Sequence, residues 1–286
     1  INQNSPEYEK ETVILAQIDL TTGSIPKTLL RFAFPMICGN LLQQLYNVAD
    51  TLIVGRFLGS DALGAVGSSY TLMTFLTSIL LGLCMGSGAL FSVCWGQRDL
   101  ARLRRQTHAA FVLIAVCTVV LNAAAFLLLD AMKTLLSVPA EVWPLMRSYL
   151  FVIFFGIGGT FLYNYYASLL RAVGNSLVPL LFLAAAAVLN IALDLVFVLV
   201  CRWGVEGAAA ATVLAQWLSG IGTAVYPLVR CPELRARREE RRITGSMLRE
   251  LLSASVLTCL QQSVMNLGIL MVQGRINSFG PVIMAA

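Results

Sequence analysis

The chain has 286 residues, 58% of them hydrophobic and 12% charged, with a mean hydropathy of +0.78. Soluble domains carry about 25% charged residues, so a soluble fold is excluded and an integral membrane protein is indicated. The net charge of +5 is sorted by loop instead of being gathered in one stretch, which argues against nucleic acid as a partner and for membrane lipids as the surroundings.

Apolar runs fall at about 29–54, 63–95, 108–129, 145–170, 177–200, 206–229 and 248–273. Each is near or above the roughly 20 residues that a spanning helix needs, so seven crossings are predicted. The runs are continuous rather than alternating, which predicts an all-α polytopic transmembrane bundle and not a barrel. Loops after the second, fourth and sixth runs carry Arg98, Arg102, Arg104 and Arg105, then Arg171, then Arg230, Arg235, Arg237, Arg238, Arg241 and Arg242. The other loops hold only Arg56, then Lys133 and Arg147, then Arg202, so the positive-inside rule predicts a cytoplasmic N-terminus, and the expected location is the plasma membrane, crossed several times.

Residues 1–24 are polar, without a basic-then-apolar signal pattern, and read as a poorly ordered cytoplasmic lead-in. The first run contains Pro35, where the lost helical hydrogen bond predicts a bend and a candidate hinge. Gln43, Asn47 and Asp50 follow at i, i+4 and i+7 on one face. A carboxylate at mid-bilayer costs roughly 2.5–3.5 kcal/mol, so Asp50 is a functional candidate, with Gln43 and Asn47 lining a cavity beside it. In the second run Gly82, Gly86, Gly88, Ser92 and Gly96 suit close helix contact, and MGSGA at 85–89 only superficially resembles a serine nucleophile turn. His108, the single histidine, lies beside Arg104 and Arg105 at the start of the third run and reads as interfacial. That third run otherwise reads as scaffold. Trp143, between Pro139 and Pro144, is a candidate interfacial anchor.

The fourth run places Asn164, Ser168 and Arg171 on one face, and Asn164 is expected to point into the bundle. RAVGNSLVP at 171–179 reads as a turn, with Gly174 and Asn175 ending one helix and Pro179 near the start of the next. The fifth carries Asn190 and a second buried acid, Asp194, four apart on one face. The sixth, GVEGAAAATVLAQ at 204–216, combines small residues with Thr212 and Gln216, a hydroxyl to close a polar site and a further cavity candidate. Apart from Arg31 and Arg147 near the starts of their runs, the first six helix cores are expected to hold no arginine or lysine. The stretch 230–246, with alternating Arg and Glu, reads as an amphipathic interfacial helix joining two halves.

The seventh run echoes the first: Gln43 and Gln44 match Gln261 and Gln262, Asn47 matches Asn266, and Gly55 and Arg56 match Gly274 and Arg275. Gln261 is thereby a candidate cavity residue. A repeat offset of six helices would give parallel repeats, a known transporter plan with the site between halves. The expected division is a lead-in over 1–24, a six-helix lobe over 25–229, a linker over 230–246, and over 247–286 the seventh helix and the beginning of the eighth in a second, incomplete lobe. The chain therefore reads as one full half and the opening of another. Seven cysteines without a CxxC pair, most of them in apolar runs, read as packing residues and not as a disulfide framework or metal site.

DTLIVGRFLGSDALGAVG at 50–67, RAVGNSLVP at 171–179, NIALD at 190–194 and GVEGAAAATVLAQ at 204–216 together resemble the multidrug and toxic compound extrusion (MATE) family of secondary transporters. The resemblance spans residues 26–286. It implies twelve helices in two lobes around a cavity that exports organic, often cationic, compounds in exchange for protons or sodium. It further implies an N-lobe cation site at Asp50, Asn190, Asp194 and Thr212, with Asn164 nearby and Pro35 as the bending proline. No acid lies between Glu250 and the chain's last residue, where other members carry one in the seventh helix, which favours the N-lobe site.

Two carboxylates meeting in a low-dielectric site cannot both stay bare, so one takes a proton or a cation bridges them, and ion loading becomes linked to conformation. No cofactor is expected beyond the coupling ion, proton or sodium, and a monomer is expected. A lipid-linked saccharide flippase of the same broader superfamily is the alternative, although it would need several basic residues in its cavity. An enzyme is not expected, for want of a histidine or metal cluster within the runs.

Overall fold

A computed structural model describes residues 24–235, 240 and 242–280. Seven long helices organise them: α1 (Ile25–Leu58), α2 (Ser60–Gly96), α3 (Leu100–Leu127), α4 (Trp143–Ala172), α5 (Leu177–Val200), α6 (Gly204–Arg230) and α7 (Gly245–Asn277). The expected lead-in up to residue 23 and the start of an eighth helix after residue 280 lie outside the described residues. Of the predicted linker helix, the described part is a 3-10 turn at Pro232–Leu234, and residues 236–239 and 241 lie outside the description.

Six of the seven helices, α2 to α7, are long and apolar enough to cross a membrane, against seven crossings read from the sequence. The exception, α1, is long enough at 34 residues but is divided lengthwise. Leu30, Phe34, Ile37, Leu41, Leu45, Val48 and Leu52 form an exposed apolar stripe at helical spacing. Gly39, Asn40, Gln43, Asn47 and Asp50 occupy the opposite face. Averaging over the turn of the helix hides a membrane-compatible side behind a polar one. The helix runs on through Pro35, which has no N–H to donate to the preceding turn.

Helix boundaries follow the local chemistry. Gly59, with φ 92°, ends α1 in a conformation that favours glycine, and Gly174, with φ 87°, ends α4 at the predicted turn. Asp99 caps α3 by accepting from the Arg102 N–H at 2.9 Å. The last turns of α5, Leu195–Val200, widen to π-helix directly after Asp194. MGSGA at 85–89 lies wholly inside α2, with Ser87 buried, so no nucleophile turn exists there.

The tightest packing joins α7 to α2. A Cβ at Gly82 would come within 2.7 Å of the Cys259 backbone nitrogen, and one at Gly86 within 2.8 Å of the Ala254 carbonyl oxygen. Only glycine lets these backbones approach so closely. A polar clasp closes one end of the contact. Ser68 Oγ donates to Asn277 Oδ1 at 3.0 Å, Gln273 Nε2 donates to both, and Asn277 Nδ2 donates to the Leu136 carbonyl at 3.0 Å. At the other end Arg104 forks onto the Glu240 carboxylate at 2.8 Å and donates to the Glu233 carbonyl at 3.3 Å, while Arg102 and Gln106 both reach Glu250. The start of α3, read from sequence as part of the basic loop before the third run, therefore ties linker and α7 to the bundle. All seven cysteines are free.

Candidate functional site: a two-ended cavity

Five helices, α1, α2, α4, α5 and α6, enclose a cavity of about 670 Å³, with α3 and α7 packed outside it. The cavity has the size and mixed apolar and polar lining of a small-molecule site. Pro35, Gln43, Asn47, Asp50, Asn164, Asn190, Thr212 and Gln216 all line it. Gln261 does not. It is exposed on α7 outside the cavity, because the close α2–α7 contact turns the Ser255 and Cys259 side of α7 inward and Gln261 away.

At one end the carboxyl groups of Asp50 on α1 and Asp194 on α5 approach within reach of a shared proton. Asp194 is fully buried behind the cavity wall, and Asn190, one turn earlier, is 1% exposed. Asn190 Nδ2 donates to Thr212 Oγ1 on α6 at 3.3 Å, so three helices converge here. Four oxygens in this cluster, Asp50 Oδ1, both Asp194 oxygens and Asn190 Oδ1, have no hydrogen-bond donor among the described residues. Buried acceptors without donors are costly, and a proton or a small cation would satisfy them. Asn164 sits apart from the cluster, its Nδ2 donating to the Thr160 carbonyl at 2.8 Å on its own helix. Gln216 Oε1 is likewise buried without a donor among the described residues.

Sequence reasoning missed two features. Tyr46, Tyr70, Tyr149 and Tyr163 also line the cavity. Tyr46 could have been found, because it lies three residues from Gln43 and four from Asp50 on the same face, whereas Tyr149 carries no signal until α4 is packed. The second is the part of Arg171 in the wall: its sequence position shares the Asn164 face but counts with the basic loop after the fourth run, and it lines the cavity from the last turn of α4. The expectation of helix cores without basic residues is corrected there, because α4 extends to Ala172 before Gly174 breaks it. His108, about two turns into α3, lines a smaller groove of about 440 Å³ with Tyr165, Tyr166 and Arg235.

The fold is that of a polytopic helical membrane bundle enclosing a cavity of mixed polar and apolar lining. The MatE family profile matches residues 35–196, and the chain belongs to that family. A relative from Bacillus subtilis, YpnP, named a probable multidrug resistance protein, is 36% identical over 70% of this chain and 45% of its own length. A NorM protein of Thermotoga maritima is 26% identical over 86% and 54%, and a FAD transporter of Shewanella oneidensis is 24% identical over 73% and 47%. Among solved structures, a MOP superfamily transporter from Pyrococcus furiosus, described with a binding pocket of reverse polarity, has a TM-score of 0.81 at 25% identity, covering 88% of this chain and 56% of its own. A transporter solved in an inward-facing conformation has a TM-score of 0.78 at 23% identity over 85% and 56%. The chain spans about half the length of the curated relatives it matches.

Proposed function

We propose that this chain is the ion-coupling lobe of a secondary efflux transporter that exports organic, often cationic, compounds across the plasma membrane in exchange for protons or sodium. The observation that carries the reading is the pairing of Asp50 with Asp194 beside Asn190, with four buried oxygens lacking donors. Two adjacent carboxylates repel at low dielectric, so the site is most stable when one is protonated or a cation sits between them. Because Asp50 is on α1 and Asp194 on α5, loading draws the two helices together, and unloading releases them. Pro35 lines the same cavity and leaves one turn of α1 with a missing hydrogen bond, a weak point about which α1 can bend. Loading from outside would then narrow the cavity and expel substrate, and unloading inside would reset it. The arginine-rich loops support an N-terminus on the cytoplasmic side.

The test is Asp194→Asn in proteoliposomes with an imposed pH or sodium gradient and ethidium as substrate. Gradient-driven transport is expected to vanish while the protein still inserts and elutes as a single species. Transport at the unsubstituted rate would overturn the proposal. Running the two gradients separately assigns the coupling ion.

A further inference from the structure

The acids occupy one end of the cavity, and its other end carries the opposite charge. Arg171 lines the cavity there with Ser168, Ser176 and Tyr163. Its Nε donates to the Ala167 carbonyl at 3.0 Å, which ties the stem of the guanidinium to its own helix. The remaining nitrogens, Nη1 and Nη2, form no ion pair with any acid among the described residues, whose salt bridges are those of Arg102, Arg104 and Arg147. The titratable groups electrostatically nearest to it are Tyr163 and Cys84, not carboxylates. Asp194 lies too far away to neutralise it: Pro179, which shares the arginine's end of the cavity, is separated from Asp194 by about 22 Å of helix at 1.5 Å per residue.

A guanidinium fork facing a low-dielectric cavity without a counter-ion is a receptor for an oxyanion, since its planar pair of donors matches a carboxylate or phosphate. Ser168 lies three residues earlier on the same face, and its hydroxyl has no hydrogen bond to another described residue, leaving it free to donate to the same anion. The hydroxyls of Ser176 and Tyr163 are engaged with the carbonyls of Phe32 and Pro179 and serve as wall. Gly88 keeps α2 close, because a Cβ there would stand 3.2 Å from Ser168 Cβ. We infer that Arg171 and Ser168 form an oxyanion subsite, so that the cavity accepts solutes carrying a carboxylate or phosphate, including amphoteric ones. The inference rests on the efflux reading of the cavity and narrows its substrate class.

Rhodamine 110 carries a free carboxylate and rhodamine 123 is its methyl ester, so the pair differs at the group in question. Binding is measured by fluorescence polarisation of each dye to the full chain in a neutral maltoside detergent. The unsubstituted protein is expected to bind both. Arg171→Gln should weaken rhodamine 110 at least about tenfold, the scale of one lost charged hydrogen bond, and leave rhodamine 123 within about twofold. Retained rhodamine 123 binding also shows that the variant folds. Arg171→Lys should restore part of the rhodamine 110 affinity, having the charge without the fork. Phosphatidylglycerol that displaces rhodamine 110 alone would assign the same subsite to a lipid phosphate. Unsubstituted protein that binds rhodamine 123 but not rhodamine 110 overturns the subsite and leaves the efflux reading standing, as does Arg171→Gln weakening neither dye or both equally. Failure to bind either dye overturns both.

Discussion

Substituting Gly86 by alanine tests whether close α2–α7 packing holds the seventh helix on the bundle. The added Cβ would lie 2.8 Å from the Ala254 carbonyl oxygen and against the backbone of Ser255, while ordinary contact begins at 3.4 Å. Besides the Ser255 hydroxyl it meets two atoms of a helix backbone that cannot rotate away, so α2 and α7 must part locally by at least about 0.6 Å. A gap of that size forfeits a quarter to a half of the dispersion energy of the facing atoms, and overpacking of this kind costs about 1–3 kcal/mol. It also stretches the bond from Ser255 Oγ to the Leu83 carbonyl, already 3.5 Å long. At about 2–4 °C per kcal/mol for a chain of this size, the melting temperature should fall by about 2–12 °C. Gly67, on the same helix, has no heavy atom within 4 Å of its would-be Cβ, and Gly67→Ala should melt unchanged or slightly higher through improved helix propensity. The assay is thermal unfolding in detergent followed by fluorescence-detected size exclusion. If Gly86→Ala melts with Gly67→Ala, the close-contact argument fails.

Asn277→Ala should lower the melting temperature measurably, because Asn277 is 1% exposed and its loss strands the Leu136 carbonyl and the Ser68 hydroxyl; equal melting with the unsubstituted chain would show that the clasp is idle. Arg147, near the start of α4, bonds Asp130 in the segment before it at 2.8 Å and holds that carboxyl below the usual carboxylate range. Any stability from a depressed carboxyl is present above its unfolded pKa and lost as pH falls through the folded value. Both partners are well exposed, so solvent screens the pair, and Asp130→Asn should melt like the unsubstituted chain at pH 7 and at pH 3; a clear drop at pH 7 alone would refute this.

The linear sequence was sufficient for the bundle itself, because lipid forces each apolar run to close its own hydrogen bonds, and length, hydropathy and the arginine bias of the loops are all local properties. It was also sufficient to mark Asp50, Asn190 and Asp194, since an acid or amide in an apolar run stands out without any partner being known. That Asp50 meets Asp194, and that Thr212 closes on Asn190, depends on how α1, α5 and α6 are rotated about their axes, which no single run encodes. The same rotation removed Gln261 from the cavity, where an internal echo had placed it, because Gly82 and Gly86 draw a different side of α7 inward. Arg171 moved the opposite way: although on the Asn164 face, it counts with the basic loop as an orientation signal, and the extension of α4 to Ala172 made it part of the wall. Spacing along one helix fixes which residues share a face, but which face looks inward is set by the neighbour packed against it.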